Sequence, residues 1–413
     1  MRSTLNNPFV PGSDTVPEVW AGRGEEISDF HRQVRPRRLA GAYERGRVLI
    51  GEPGIGKSVL ASRIAAEARE AGDLVLPSLR IPRGGDPIAL LAGVVADAVS
   101  AYSLGERVGS MATGLLDRIT AIRAGVTVTL QGAPAGVPHR ELTLALSALA
   151  RTAMDDGRLL VVHIDEVQNV DRTEHMSQLL VALGDVMAET AEGTDAAGNP
   201  HERHLPVAVT LTGLWSFVDG ATRAAGATFA RRFKAYHLGP LEDVDIRTAL
   251  APFTSDGWPI LTDDGPAVVT ASADAVQMLL EAVCGDPFLF QLVGQAAWNA
   301  STGPVIDRAD VAAGIREVAT EMTHHAERTL ERLPRAERDL LDALLSLPGE
   351  QRTLTAAGRE LGKTPQQVAT TAKRLEMRSI IRRGRPIAVT SRVTEALIGG
   401  RWPTAPDEDA RGR

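Results

Sequence analysis

Cysteine is nearly absent from this chain of 413 residues: only Cys284 is present. An intrachain disulfide is therefore excluded, and the composition fits a reducing compartment. Aromatic residues are also scarce at 4%, yet 44% of the chain is hydrophobic, ample for real cores. No run approaches the roughly 18 uninterrupted apolar residues of a membrane span. The opening residues Met1 to Pro8 lack the apolar core of a signal peptide. The expectation is a soluble, cytoplasmic protein with no membrane partner. His163 has no neighbour at metal-ligand spacing and reads as a packed strand histidine. The length predicts two to three domains.

What is present is more specific. Gly51-Glu52-Pro53-Gly54-Ile55-Gly56-Lys57-Ser58 fits the pattern G-x-x-x-x-G-K-[ST]. It follows a short apolar run, 47–50, and precedes a helix-spaced segment, 59–68, that opens at Val59. The glycines let the backbone turn so that several N–H groups point at a polyphosphate, and the helix N-terminus adds partial positive charge. Lys57 would reach the β and γ phosphates and the Ser58 hydroxyl would ligate Mg2+. The expected ligand is a nucleoside triphosphate held by residues 51–59.

About a hundred residues on, the apolar run 158–164 ends in Asp165-Glu166. A near-continuous apolar run is the mark of a central parallel strand covered on both faces. Ligands of such sheets sit at the carboxyl ends of the strands. Asp165 is then placed to hold the magnesium shell and Glu166 to polarise the attacking water. Acidic residues after an apolar strand are common alone; their order after the phosphate loop gives them meaning.

Strands and helices alternate across 21–240, which predicts an α/β fold: a doubly wound parallel sheet. An extended arm, 1–20, precedes it. A helix begins near 21–27, a strand spans 74–81, and Asp86-Pro87 caps a helix running to 101. Residues 104–138 are ambiguous, with strand-like alternation at 126–130. Helices are expected at 140–154 and 171–191, a solvent loop at 192–200 and a buried strand at 206–213. From 241 to 325 the pattern reads as helical, at 242–252, 271–284, 287–300 and 308–325. The tail 403–413 is charged and small, and reads as disordered.

Residues 326–402 carry a second signature. The net charge of −7 is unevenly spread: 331–401 holds 14 Lys/Arg against 8 Asp/Glu, so the remainder stands near −13. Helices are predicted at 335–345 and 353–361, the latter stopped by Gly362. A third starts at Thr364-Pro365 with a capping box to Gln367. Val368, Ala372 and Leu375 take its inward face; Gln367, Thr371, Arg374 and Arg378 point outward. Residues 379–389 read as two strands around Arg383-Gly384-Arg385. Helix, turn, helix and basic hairpin together describe a winged helix. Lys373, Arg374 and Arg378 would face the DNA groove or its phosphates, with Arg382, Arg383 and Arg385 on the backbone. Winged helices also serve as protein-contact modules, so double-stranded DNA and a protein partner both stand as readings.

The combination resembles the AAA+/STAND ATPases of the origin-recognition-like and archaeal-ATPase type, over nearly the whole chain. Gly22-Arg23-Gly24-Glu25-Glu26 looks like the family's box near the adenine, which implies a role for Arg23 there. The strand ending in Thr212-Gly213 sits where the family places a γ-phosphate sensor, implying Thr212, with Thr210 as alternative. Ala230-Arg231-Arg232-Phe233 resembles the arginine-bearing element; either Arg231 or Arg232 would act as a finger from a neighbouring subunit. Gly285-Asp286-Pro287 resembles the lid motif whose proline packs near the base, here Pro287. No lid arginine accompanies it, which favours a nucleotide-dependent switch over a processive motor. The resemblance implies ATP rather than GTP, Mg2+-dependent hydrolysis and a homo-oligomer on ATP binding. The two functional readings are a DNA-associated switch and a signalling ATPase acting through a protein partner. A phosphotransferase with the same loop is disfavoured by the Asp-Glu strand, the lid and the winged helix.

Overall fold

The computed structural model describes residues 1–12, 15–101, 138–194, 200–217, 220–221, 231–262, 265–400 and 402. The alternating segment 126–130 and the tail 403–413 lie outside them. Contacts divide the chain into two compact units, one of residues 23–50 and 60–236, the other of 1–22, 51–59 and 237–413.

The first unit is built on a six-stranded sheet. Its strands are β1 (Gly46–Ile50), β2 (Leu74–Val75), β3 (Leu79–Arg80), β4 (Leu160–Asp165), β7 (Val207–Gly213) and β8 (Phe233–His237), with β5 (Thr190–Thr194) and β6 (Pro200–His204) forming a separate hairpin. The order is β2-β4-β7-β1-β8, with β3 also on β4. Pairs β1–β7, β4–β7, β2–β4 and β3–β4 are all parallel. All six residues of β4 are buried, as a strand covered on both faces requires. Flanking helices present one apolar face each. In Pro138–Asp155 it is Leu142, Ala145, Leu146, Leu149, Ala150 and Ala153; in Thr173–Ala188 it includes Met176, Leu179, Leu180 and Leu183. Each fully buried leucine contributes roughly 1.5–3 kcal/mol.

Two expectations for this unit are corrected. The strand 74–81 is two short strands, because Pro77 between them has no N–H for the ladder. The loop 192–200 is instead part of the β5–β6 hairpin, paired from Thr190↔His204 to Thr194↔Pro200. Its turn, 195–199, lies outside the described residues.

In the second unit the run after 241 is not purely helical. Helices Asp243–Thr254, Ala273–Val283, Pro287–Asn299 and Arg308–Glu331 surround a small sheet of β9 (Trp258–Thr262), β10 (Gly265–Ala271) and β11 (Val305–Ile306). Strands β9 and β10 pair antiparallel from Trp258↔Val269 to Thr262↔Gly265. Phe9, Phe253, Trp258, Phe290 and Trp298 concentrate the scarce aromatics in this core. The N-terminal arm is pinned there by Arg2, 1% exposed, whose guanidinium meets Asp310 at 2.8 Å and the carbonyls of Gly303 and Val305.

The same unit ends in helices Arg335–Leu345, Leu354–Glu360 and Pro365–Met377, the antiparallel pair β12 (Ile381–Arg382) and β13 (Ala388–Val389), and helix Arg392–Ile398. The Thr364–Gln367 capping box is present, and Val368, Ala372 and Leu375 are buried in the local core. Among the described residues no helix is long and apolar enough to cross a membrane.

Candidate functional site

The phosphate loop leaves β1 at Gly51 and enters helix Lys57–Glu70. Gly54 and Gly56 take φ of +84° and +88°, a left-handed region that side chains rarely adopt. A Cβ at Gly56 would meet nothing within 4 Å. Lys57 Nζ donates to the carbonyls of Gly51 and Glu52, both at 2.9 Å, folding the ammonium back over the loop. Ser58 and Val59 occupy the first turn of the helix, partly exposed. Glu52, Pro53 and Ile55 line a pocket together with Leu238–Pro240, Asp286 and His325. His325 Nε2 meets Asp286 Oδ2 at 2.9 Å. Its ring lies so close to Gly54 that a Cβ there would stand 2.7 Å from Cε1.

The acidic pair belongs to the sheet unit. Asp165 ends β4 and is 3% exposed. Its Oδ1 accepts from the Thr212 hydroxyl and, at 2.9 Å, from the Glu166 N–H. Thr212 is fully buried, whereas Thr210 pairs in register with His163. Of the two threonines, Thr212 is the one that meets the acidic pair. Glu166 adopts φ +58° as it leaves the strand and starts the turn Val167–Asn169. Its side chain, 32% exposed, faces Arg80 at 3.4 Å and accepts from the Gln168 amide. His163 is buried, with Nδ1 at 2.9 Å from the Ser78 hydroxyl, and no cluster of metal-ligating side chains occurs among the described residues.

A left-handed glycine loop opens one helix, and a buried aspartate ends strand β4. Residues 19–190 match the family model described as an AAA ATPase domain. This stretch is similar to AAA ATPase domains. Among solved structures the chain is similar to the Aeropyrum pernix ORC1 protein in complex with DNA, at 14% identity, 94% of each chain and TM-score 0.42. It is similar to the Aeropyrum pernix ORC2 protein in ADPNP–ADP complexes, at 14% identity, 97% of this chain, 98% of that one and TM-score 0.49. The Thermotoga maritima RuvB Holliday junction branch migration motor gives 14% identity, 91% and 95% coverage and TM-score 0.41. None of the curated proteins matches the sequence.

Within the matched stretch, Arg23 begins helix Gly24–Asp29 with φ +64°. Beyond it in the chain, Arg232 is tied to Asp185 at 3.0 Å, while Arg231 is exposed. Pro287 opens helix Pro287–Asn299 behind an Asp286 cap that accepts from Leu289 N–H. Cys284 at the pocket edge has its thiol pushed up to about 11 by burial, which makes it a poor nucleophile.

Lys373, Arg374, Arg382, Arg383 and Arg385 are exposed, and Arg383 pairs with Glu376 at 2.5 Å. Arg378 is a correction. It does not point outward; it is 6% exposed, pairing with Glu337 at 2.9 Å and with Glu52 of the phosphate loop at 3.0 Å. The helix ends at Met377, so the 3.6-residue period that placed Arg374 outward no longer governs the next residue but three. Burial pushes the Glu337 carboxyl up, against the pull of Arg378 and Arg374.

Arg80, Gln168, His325 and Glu337 were not foreseen. Gln168 stands two residues past the acidic pair, and Arg80 is visible only through its parallel register with Asp165.

Proposed function

We propose that this protein is an ATP-binding, Mg2+-dependent ATP-hydrolysing switch of AAA+/STAND type that associates with double-stranded DNA. In this reading a nucleotide-binding domain (21–240), a lid of helices with a small sheet (241–325) and a winged helix (326–402) follow the N-terminal arm. The residues present fit the group. Gly54 and Gly56 hold the left-handed backbone that such a loop needs, and Ser58 and Asp165 offer the hard oxygens that magnesium takes. Bound Mg2+–ATP supplies the phosphoanhydride bond and the cation that neutralises its charge. The loop N–H groups and Lys57 bind the polyphosphate, Glu166 accepts a proton from the attacking water, and Thr212 holds the Asp165 carboxylate. Arg23 and Pro287 flank the base. Arg231, exposed while Arg232 is engaged by Asp185, is the better candidate for a finger in a homo-oligomer.

The observation that carries the switch reading is the Arg378–Glu52 ion pair, which joins the C-terminal module to the phosphate loop itself. A change at the loop then alters the footing of the module that carries Lys373, Arg374, Arg382 and Arg385. The test is ATP turnover by the full chain, with and without duplex DNA, titrated over protein concentration. Duplex DNA is expected to stimulate turnover, and Lys57→Ala to abolish it. DNA binding is expected to weaken steeply with salt, with Lys373→Ala/Arg374→Ala lowering the salt slope by about two. Turnover that rises with protein concentration but ignores DNA would instead favour a signalling ATPase acting through a protein partner.

A further inference from the structure

The turn after the acidic pair is fastened on both sides. On one side Asn169 Nδ2 donates to the Ile81 carbonyl at 2.8 Å, and Ile81 N–H donates to the Asp165 carbonyl at 3.0 Å. On the other, Gln168 Oε1 accepts the Leu214 N–H at 3.0 Å, just beyond the end of β7. Because Leu214 offers a donor, the atom facing it must be the amide oxygen. The Gln168 NH2 group is thereby turned toward Glu166, where it donates to Oε2. Gly213 makes this approach feasible: a Cβ there would stand 2.9 Å from Val167 Cγ2 and 3.2 Å from Gln168 Oε1. Val167, between the two, is fully buried.

We infer that Gln168 is a positioning residue for Glu166, fixing the carboxylate through one amide that is locked by the backbone at Leu214. The inference rests on the reading of Glu166 as the proton acceptor in ATP hydrolysis. Only a side chain with one acceptor and one donor at its tip does both tasks. Glutamate at 168 keeps the acceptor for Leu214 but sets a second negative charge beside Glu166. Alanine leaves the Leu214 N–H and the carboxylate without that partner. Arg80, 64% exposed at its side chain, holds the other oxygen only loosely at 3.4 Å.

The experiment is steady-state ATP hydrolysis by the full chain, with nucleotide affinity measured separately by fluorescent-ATP titration. Gln168→Ala is expected to lower kcat about tenfold or more, a part of the 10²–10⁴-fold that a positioned base supplies. ATP affinity and KM should stay within about twofold, since the amide touches no group assigned to the polyphosphate. Gln168→Glu is expected to lower kcat likewise, because it keeps the acceptor for Leu214 but loses the N–H donor to Glu166. In a Glu166→Gln background, Gln168→Ala should add nothing. An unchanged kcat in Gln168→Ala, or an additive loss in the double variant, would overturn the positioning role. Full activity of Glu166→Gln alone would instead overturn the underlying assignment of the base.

Discussion

Replacing Arg378 by methionine leaves two carboxylates facing the space it filled. The guanidinium is 5% exposed, Glu337 1% and Glu52 14%, with contacts of 2.9 and 3.0 Å. At an effective dielectric of about 20, opposite unit charges roughly 4 Å apart attract by about 4 kcal/mol. Arg378 makes two such attractions, offset by the cost of taking all three charges out of water. Removing the shared cation from a buried network of this kind costs about 3–5 kcal/mol. For a unit of this size each kcal/mol corresponds to roughly 2–4 °C, so the transition of the C-terminal unit should fall by roughly 6–20 °C. Circular dichroism melts and urea titrations of the full chain read this directly. The double variant Arg378→Met/Glu337→Leu should recover most of the loss, since it removes the stranded carboxylate along with its partner. Glu52, less enclosed, can turn its carboxylate toward water. A single-variant loss below about 1 kcal/mol, the value of a surface pair, would refute the reasoning. So would a double variant whose losses simply add.

Two further outcomes are expected. Burial pushes the Asp29 carboxyl up, but Arg47 at 2.6 Å, with Tyr236 and Lys234, outweighs it and holds the group below its usual 3.8. Its stabilisation is therefore present above pH 3.8 and lost as pH falls through the lower folded value. Asp29→Asn should flatten the acid limb of a pH–stability curve, and an unchanged limb would refute it. Gly54→Ala should weaken ATP binding and cost about 1–3 kcal/mol for the left-handed backbone. Adding His325→Ala should restore only the steric part, because φ stays at +84°; binding equal to the original chain would contradict this, as titration and melts will show.

The parallel sheet, the acidic end of β4 and the glycine turn after β1 were legible because each is written locally. Leu160 to Asp165 is apolar without interruption, and Gly54 and Gly56 stand where the backbone turns left-handed. The hairpins at Thr190–His204 and Trp258–Ala271 were not read, the first because its strands are polar and the second because it interrupts a helical run. Partners set by register or tertiary approach were out of reach: Arg80 beside Asp165, His325 over Gly54, and Arg378 against Glu52. A helical period says which way a residue faces only while the helix lasts, and Arg378 lies one residue past its end.

The enclosed Arg2 has a practical consequence at the amino terminus. Met1 beside it is 77% exposed, so residues added in front of it meet solvent. Trimming even two residues is different: it removes the partner of the buried Asp310 carboxylate and of the Gly303 and Val305 carbonyls. Loss of Arg2 would therefore loosen the start of helix Arg308–Glu331, which carries Asp310 about three hundred residues away in sequence.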